Sequence, residues 1–184
     1  MVEAIFDCAQ QLFGLTFKHR PDIIAYHPDV KTYEVYDSSK GTEPIAIFLH
    51  DNYARPNKHS GAWMNNFRSQ SQGVIPIVIN NNNFNKGSDG DKNTLLSFDD
   101  CVTLFHEFGH GLHGMLSECT YQTLSGTNVL RDFVELPSQL YEHWISEPAV
   151  IKKFAKVRFY KGVFECYPYM CSSVPRMCIR VLPV

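Results

Sequence analysis

An α+β fold, a small sheet followed by two helices, is the class the sequence predicts, and three observations predict it. Between Pro21 and Ile79, short stretches rich in β-branched and aromatic residues alternate with polar and Pro- or Gly-containing segments, as strands and turns do. From Ser97 a capped stretch keeps its apolar residues at helical spacing for about five turns. A second helical pattern follows around Pro137.

The elements follow in order. Ile5, Ala9, Leu12 and Phe13 make residues 3–13 a helix, which Gly14 stops. Tyr33–Tyr36, Ile45–Leu49 and Val74–Ile79 read as strands of an antiparallel or mixed sheet. Asn80–Asn93 has almost no apolar content and is expected to be an exposed loop. Ser97 and Asp100 spell an S-x-x-D cap, and Asp99 and Asp100 suit the positive end of a helix dipole. Val102, Phe105, Phe108, Leu112 and Met115 then line one helical face. The second helix should cover much of Asp132–Ile145, with a kink or a delayed start at Pro137. Pro148 breaks it before a short helical stretch, Val150–Lys156.

With 184 residues, the chain fits one domain or one piece of a larger one. Its 44% hydrophobic and 20% charged residues can build a core, which excludes a disordered chain. Seventeen basic against 19 acidic side chains exclude a nucleic-acid partner, since phosphates need a concentrated basic face. The longest apolar run, Val74–Ile79, is too short to span a bilayer, and Glu3 and Asp7 stand where a signal peptide needs cationic and then apolar residues. Six cysteines without a C-x-x-C pair are expected to be reduced thiols. A cytoplasmic protein with no membrane contact is therefore expected. Residues 1–156 are expected to form the domain. Residues 157–184 carry three cysteines, three prolines and no sustained period, and read as an atypical tail, either an irregular terminal extension or a sequence outside its natural reading frame.

His106-Glu107-Phe108-Gly109-His110 is an H-E-x-x-H motif on the capped helix. Two histidines four apart share a helical face and can share one metal ion. Glu107 lies about 100° round the helix, beside the metal, where it can take a proton from a water that zinc has acidified. Of the acids after His110, Glu118 is too close along the same helix to swing back. Glu135 stands among Phe133, Val134 and Leu136, where an unpaired carboxylate would be costly, and is the candidate third ligand. His113 extends the row but reads as a structural histidine, and His27 has no derivable role. Gly109, Gly111 and Gly114 spell G-x-G-x-x-G, yet inside a helix with no strand in front. Close packing of that helix explains them better than dinucleotide binding. Cys101, without a recognisable partner, does not suggest a cysteine hydrolase.

The run from Phe105 to Trp144 (FHEFGHGLHGMLSECTYQTLSGTNVLRDFVELPSQLYEHW) resembles the thimet oligopeptidase family of zinc peptidases, as do FDCAQQLFGLTF, YHPDV and SGAWMNNF upstream. The resemblance covers about residues 3–156 and fails from Val157. It implies a zincin-like catalytic segment that holds one zinc ion through His106, His110 and Glu135, the last 25 residues past the second histidine. It implies that Glu107 is the general base and then the acid for hydrolysis of short peptides, by oligopeptidase or peptidyl-dipeptidase action. Asp132, Ser138 and Glu142, three before, three after and seven after Glu135, would share its face if that segment is helical and could hold the histidines through their free ring nitrogens. Gly61, Ala62 and Trp63 resemble the segment that borders the substrate, where a strand edge can pair with an extended peptide. The family's oxyanion donors, Tyr and His, come from a glycine-rich segment farther along. Only Gly162 follows Lys156 here, and Tyr160, Tyr167 and Tyr169 stand in no such context. The alternative reading is a truncated, inactive piece of such a peptidase that still binds zinc.

Overall fold

Helix α1 (Val2–Phe13) buries Val2, Ala4, Ile5, Cys8 and Ala9 on one side and ends at Gly14. The φ of 69° there is a left-handed conformation that glycine adopts without steric cost. The computed structural model describes residues 1–87, 94–157 and 178–180.

Five strands form the main sheet: β1 (Leu15–His19), β2 (Lys31–Asp37), β3 (Ala46–Tyr53), β4 (Trp63–Arg68) and β5 (Ile77–Phe84). Their order is β1-β2-β3-β5-β4. Only the β3–β5 pair is parallel, so the sheet is mixed. The strand expected over Val74–Ile79 starts later, at Ile77. Pro76, having no N–H to give a ladder, precedes it.

The expected loop over Asn80–Asn93 is corrected by the same strand. Asn80, Asn81 and Asn82 are buried in β5, whose backbone is paired on both sides. A central strand satisfies its main chain whatever its side chains, and here some of the amides find partners too: Asn82 Nδ2 donates to Asn52 Oδ1 at 3.0 Å. Residues 88–93 of that expected loop lie outside the described residues.

Helix α2 (Phe98–Met115) crosses one face of the sheet. Both halves of its capping box are made: Ser97 Oγ accepts from the Asp100 N–H at 3.0 Å, and Asp100 Oδ2 accepts from the Ser97 N–H at 2.9 Å. Phe6 of α1, Phe17, Tyr33 and Phe48 of the sheet and Phe108 of α2 pack ring against ring, with the Phe48–Phe108 centroids 5.4 Å apart. Gly111 and Gly114 let the helix lie close on β5 and β4: a Cβ at either would stand 2.7 Å from Asn80 Oδ1 or Met64 Cε. A smaller cluster of Val30, Leu49 and Ile79 forms away from this core.

Turns occupy residues 131–135, and helix α3 (Leu136–Glu142) starts late, with Pro137 in its first turn where a missing N–H costs nothing. A 3₁₀ turn over His143–Ser146 leads to α4 (Pro148–Phe154). Tyr141 ties α3 to α1, its hydroxyl donating to the Ile5 carbonyl at 2.6 Å. A second sheet, in the order β6-β8-β7, joins β6 (Leu95–Ser97), β7 (Lys156–Val157) and β8 (Cys178–Arg180) through antiparallel pairs. The rest of the expected tail, with Cys166, Cys171 and the three tyrosines, lies outside the described residues. Among the described residues, no helix is long and apolar enough to cross a membrane.

Candidate metal centre

One turn of α2 separates His106 from His110, and the two rings meet edge to face, 4.8 Å between centroids. Glu135, in the residue before α3, faces them. Its Oε2 lies 3.3 Å from His106 Nε2 and 3.1 Å from His110 Nε2. All three donor atoms fall within 4.8 Å of one another. Ligands about 2.0–2.1 Å from one tetrahedral ion stand about 3.3 Å apart, and two imidazoles with one carboxylate are a donor set that zinc accepts. The residues therefore fit a metal ion.

What brings the two helices together is Gly109. A Cβ there would stand 2.7 Å from the Ser138 Cα and 2.9 Å from the Pro137 carbonyl oxygen, so only glycine permits this approach of α2 to α3. Around the donors, Glu142 Oε1 lies 2.5 Å from His106 Nδ1, which puts the ring proton on Nδ1 and leaves the Nε2 lone pair pointing at the cluster. Burial holds the His110 pKa below the usual histidine range, which favours the neutral ring that a metal needs. The Glu135 carboxyl is held low, first by the hydrogen bond from Ser138 and then by the two histidines.

Glu107 is buried, 7% exposed, and burial raises its pKa; the neighbouring His106 and the Met64 N–H oppose that rise. A carboxyl with raised proton affinity beside these three donors suits proton transfer.

Three expectations need correction. Asp132 lies in the turns before α3, is exposed and makes no contact with either histidine, because the helix that would have put it on the Glu135 face starts only at Leu136. Ser138 holds Glu135 rather than a histidine: its hydroxyl is 2.9 Å from Glu135 Oε2. Nor is Glu135 in a buried apolar setting. Its side chain is 47% exposed, as are Phe133 (46%) and Leu136 (54%).

Gly61 and Ala62 lead into Trp63 at the start of β4, which is an edge of the sheet and runs beside α2. His113 is not in the cluster; its ring lies 6.2 Å from Phe133. His27 Nδ1 accepts from the Asp29 N–H at 3.2 Å, a local turn contact.

Comparison with known proteins gives the family. The family model described as peptidase family M3 matches residues 1–160. The dipeptidyl carboxypeptidase of Salmonella typhimurium is 49% identical over 156 residues, 84% of this chain and 22% of that protein. Its Escherichia coli counterpart is 47% identical over the same shares of the two chains. Oligopeptidase A of Escherichia coli is 40% identical over 156 residues, 82% of this chain and 22% of that protein. The chain thus spans about a fifth of the length of these curated relatives.

Proposed function

Because the chain belongs to peptidase family M3, we propose that it is the zinc-binding segment of an oligopeptidase, of the peptidyl-dipeptidase type, that hydrolyses peptide bonds in short peptides. The observation that carries this reading is the convergence of His106 Nε2, His110 Nε2 and Glu135 Oε2 beside the buried carboxyl of Glu107. One zinc ion held by His106, His110 and Glu135 would lower the pKa of a water molecule and polarise the peptide carbonyl.

The chain's own residues do the rest. Glu142 fixes the tautomer of His106, and Ser138 fixes the Glu135 carboxylate. Glu107 takes a proton from the attacking water and returns it to the leaving amine. The free edge of β4 pairs with the extended main chain of the peptide, and Gly61 and Ala62 leave room where the edge begins. An edge strand beside the metal-bearing helix supports a zincin-like layout. Residues 1–156 would be the catalytic segment and residues 157–184 an atypical tail; the family match, which ends at residue 160, puts the change of character near that boundary. A cytoplasmic location goes with the free thiols of Cys8, Cys101 and Cys119.

Metal analysis after dialysis tests the ligand set. Glu135→Ala should lose zinc, since two histidines leave the site one protein ligand short, and Glu107→Gln should keep it while abolishing peptide cleavage in the full-length enzyme. Equal zinc retention by wild type and Glu135→Ala removes Glu135 from the site. A second reading, a zinc-binding segment with no turnover of its own, is favoured by the exposure of Glu135.

A further inference from the structure

Asp51, Asn81 and Trp63 stand in one cross-strand row. Asp51 of β3 is level with Asn81 of β5, and Asn81 is level with Trp63 of β4. Residues level across a sheet project to the same side, so the three side chains can meet. With its amide turned so that both ends are paired, Asn81 donates to Asp51 Oδ2 at 3.3 Å and accepts from the Trp63 indole N–H at 3.1 Å. The Asp51 carboxylate, with no solvent exposure, also accepts a two-pronged bond from Arg55 (2.7 and 2.8 Å), one from the Tyr26 hydroxyl (2.6 Å) and one from Lys58 (2.9 Å).

Stability is a weak reason for such a group. A buried ion pair is often no better than apolar residues of the same volume, whereas a fixed geometry is what several charge-assisted bonds supply. Here the geometry concerns the path of the chain. It leaves β3 at Tyr53 and must pass β5 to reach β4, because β5 lies between them. Lys58, inside that connection, donates to the carbonyls of Asp51 and Tyr53 on β3 and of Asn82 on β5, at 3.1, 3.0 and 2.5 Å. The Asn83 amide donates to the carbonyls of His59 and Gly61, at 2.6 and 2.7 Å. These ties fix the connection up to where β4 begins.

We propose that Asp51 and Asn81 are positioning residues: through the Trp63 indole they set the start of β4, and with it the edge that receives the peptide. The proposal rests on the peptidase reading above.

The test uses the zinc-loaded 184-residue chain, whose two indole N–H resonances are assigned with a Trp144→Phe control. Asn81→Ala should speed hydrogen exchange of the Trp63 indole about tenfold or more, leave that of Trp144 unchanged and leave zinc content unchanged. It should also weaken binding of a fluorescein-labelled octapeptide about tenfold, the worth of one hydrogen bond. Trp63→Phe, which keeps a ring and removes the donor, should lose the same affinity. A Trp63 indole that exchanges at the wild-type rate in Asn81→Ala overturns the row. An indole set free with peptide affinity unchanged in both variants overturns the positioning role. A wild-type chain that holds zinc but binds no peptide overturns the peptide-edge reading, and the proposal with it; that failure is distinguishable, because indole exchange would still respond to Asn81→Ala.

Discussion

Asp51 is the residue whose charge the fold has most visibly arranged. Burial pushes its carboxyl up, but the bonds from Arg55, Tyr26 and Lys58 outweigh that and hold it at about 2. In the unfolded chain an aspartate titrates at about 3.9. A folded pKa below the unfolded one means that ionised Asp51 stabilises the fold fully above about pH 4, and that this contribution is lost as pH falls towards about 2. Urea midpoints measured between about pH 5 and about pH 2 should therefore fall more steeply for wild type than for Asp51→Asn. Parallel curves would mean that folding does not lower the pKa of this carboxyl. At this scale the sequence was legible where local spacing does the work. His106, Glu107 and His110 follow from helical periodicity, and Glu142 meets His106 as its offset from Glu135 suggested. It was illegible where contacts cross strands. Asp51, Asn81 and Lys58 belong to one cluster only because the topology sets β5 between β3 and β4.

Among elements, the contact of α2 with α3 decides whether the donor set forms, since α2 carries the two histidines and Glu135 immediately precedes α3. Gly109 is the point of contact, and the atoms that a Cβ would meet, the Ser138 Cα and the Pro137 carbonyl oxygen, are backbone that no side-chain rotation can clear. Overpacking of this kind costs ~1–3 kcal/mol, and Glu135 sits one residue ahead of the helix that must move. Gly109→Ala should thus lower zinc affinity about tenfold or more, with the far-ultraviolet dichroism nearly unchanged; competition with a chromophoric chelator measures it. Wild-type affinity would mean that α3 shifts without carrying Glu135 away. The helices were the readable elements, because Ser97, Asp100, Gly14 and Pro137 mark their ends by local chemistry. Strand β5 extends past Ile79, because its asparagines pair inside the sheet, and β1 was not foreseen because a short edge strand shows only part of a buried face.

For the whole molecule, the question is how far a site assembled from one fifth of its relatives' length can act. The donor cluster is open: the Glu135 side chain is 47% exposed and that of His106 25%. Beside it an apolar groove of about 530 Å³, lined by Leu12, Phe13, Leu136, Leu140 and Trp144, also opens to solvent. Charge interactions in so wet a site are weaker than in a closed one, since the effective dielectric is nearer that of water. Zinc binding and turnover should therefore separate: the purified 184-residue chain should bind zinc, yet cleave a quenched fluorescent oligopeptide far below the rate of about 1 per second at the slow end of ordinary enzymes. Glu107→Gln is the control, because any residual cleavage that it abolishes belongs to this site and not to a contaminant. Turnover near about 1 per second, absent from that control, would show that the cluster, the buried base and the β4 edge are sufficient as they stand and that enclosure adds little to the chemistry.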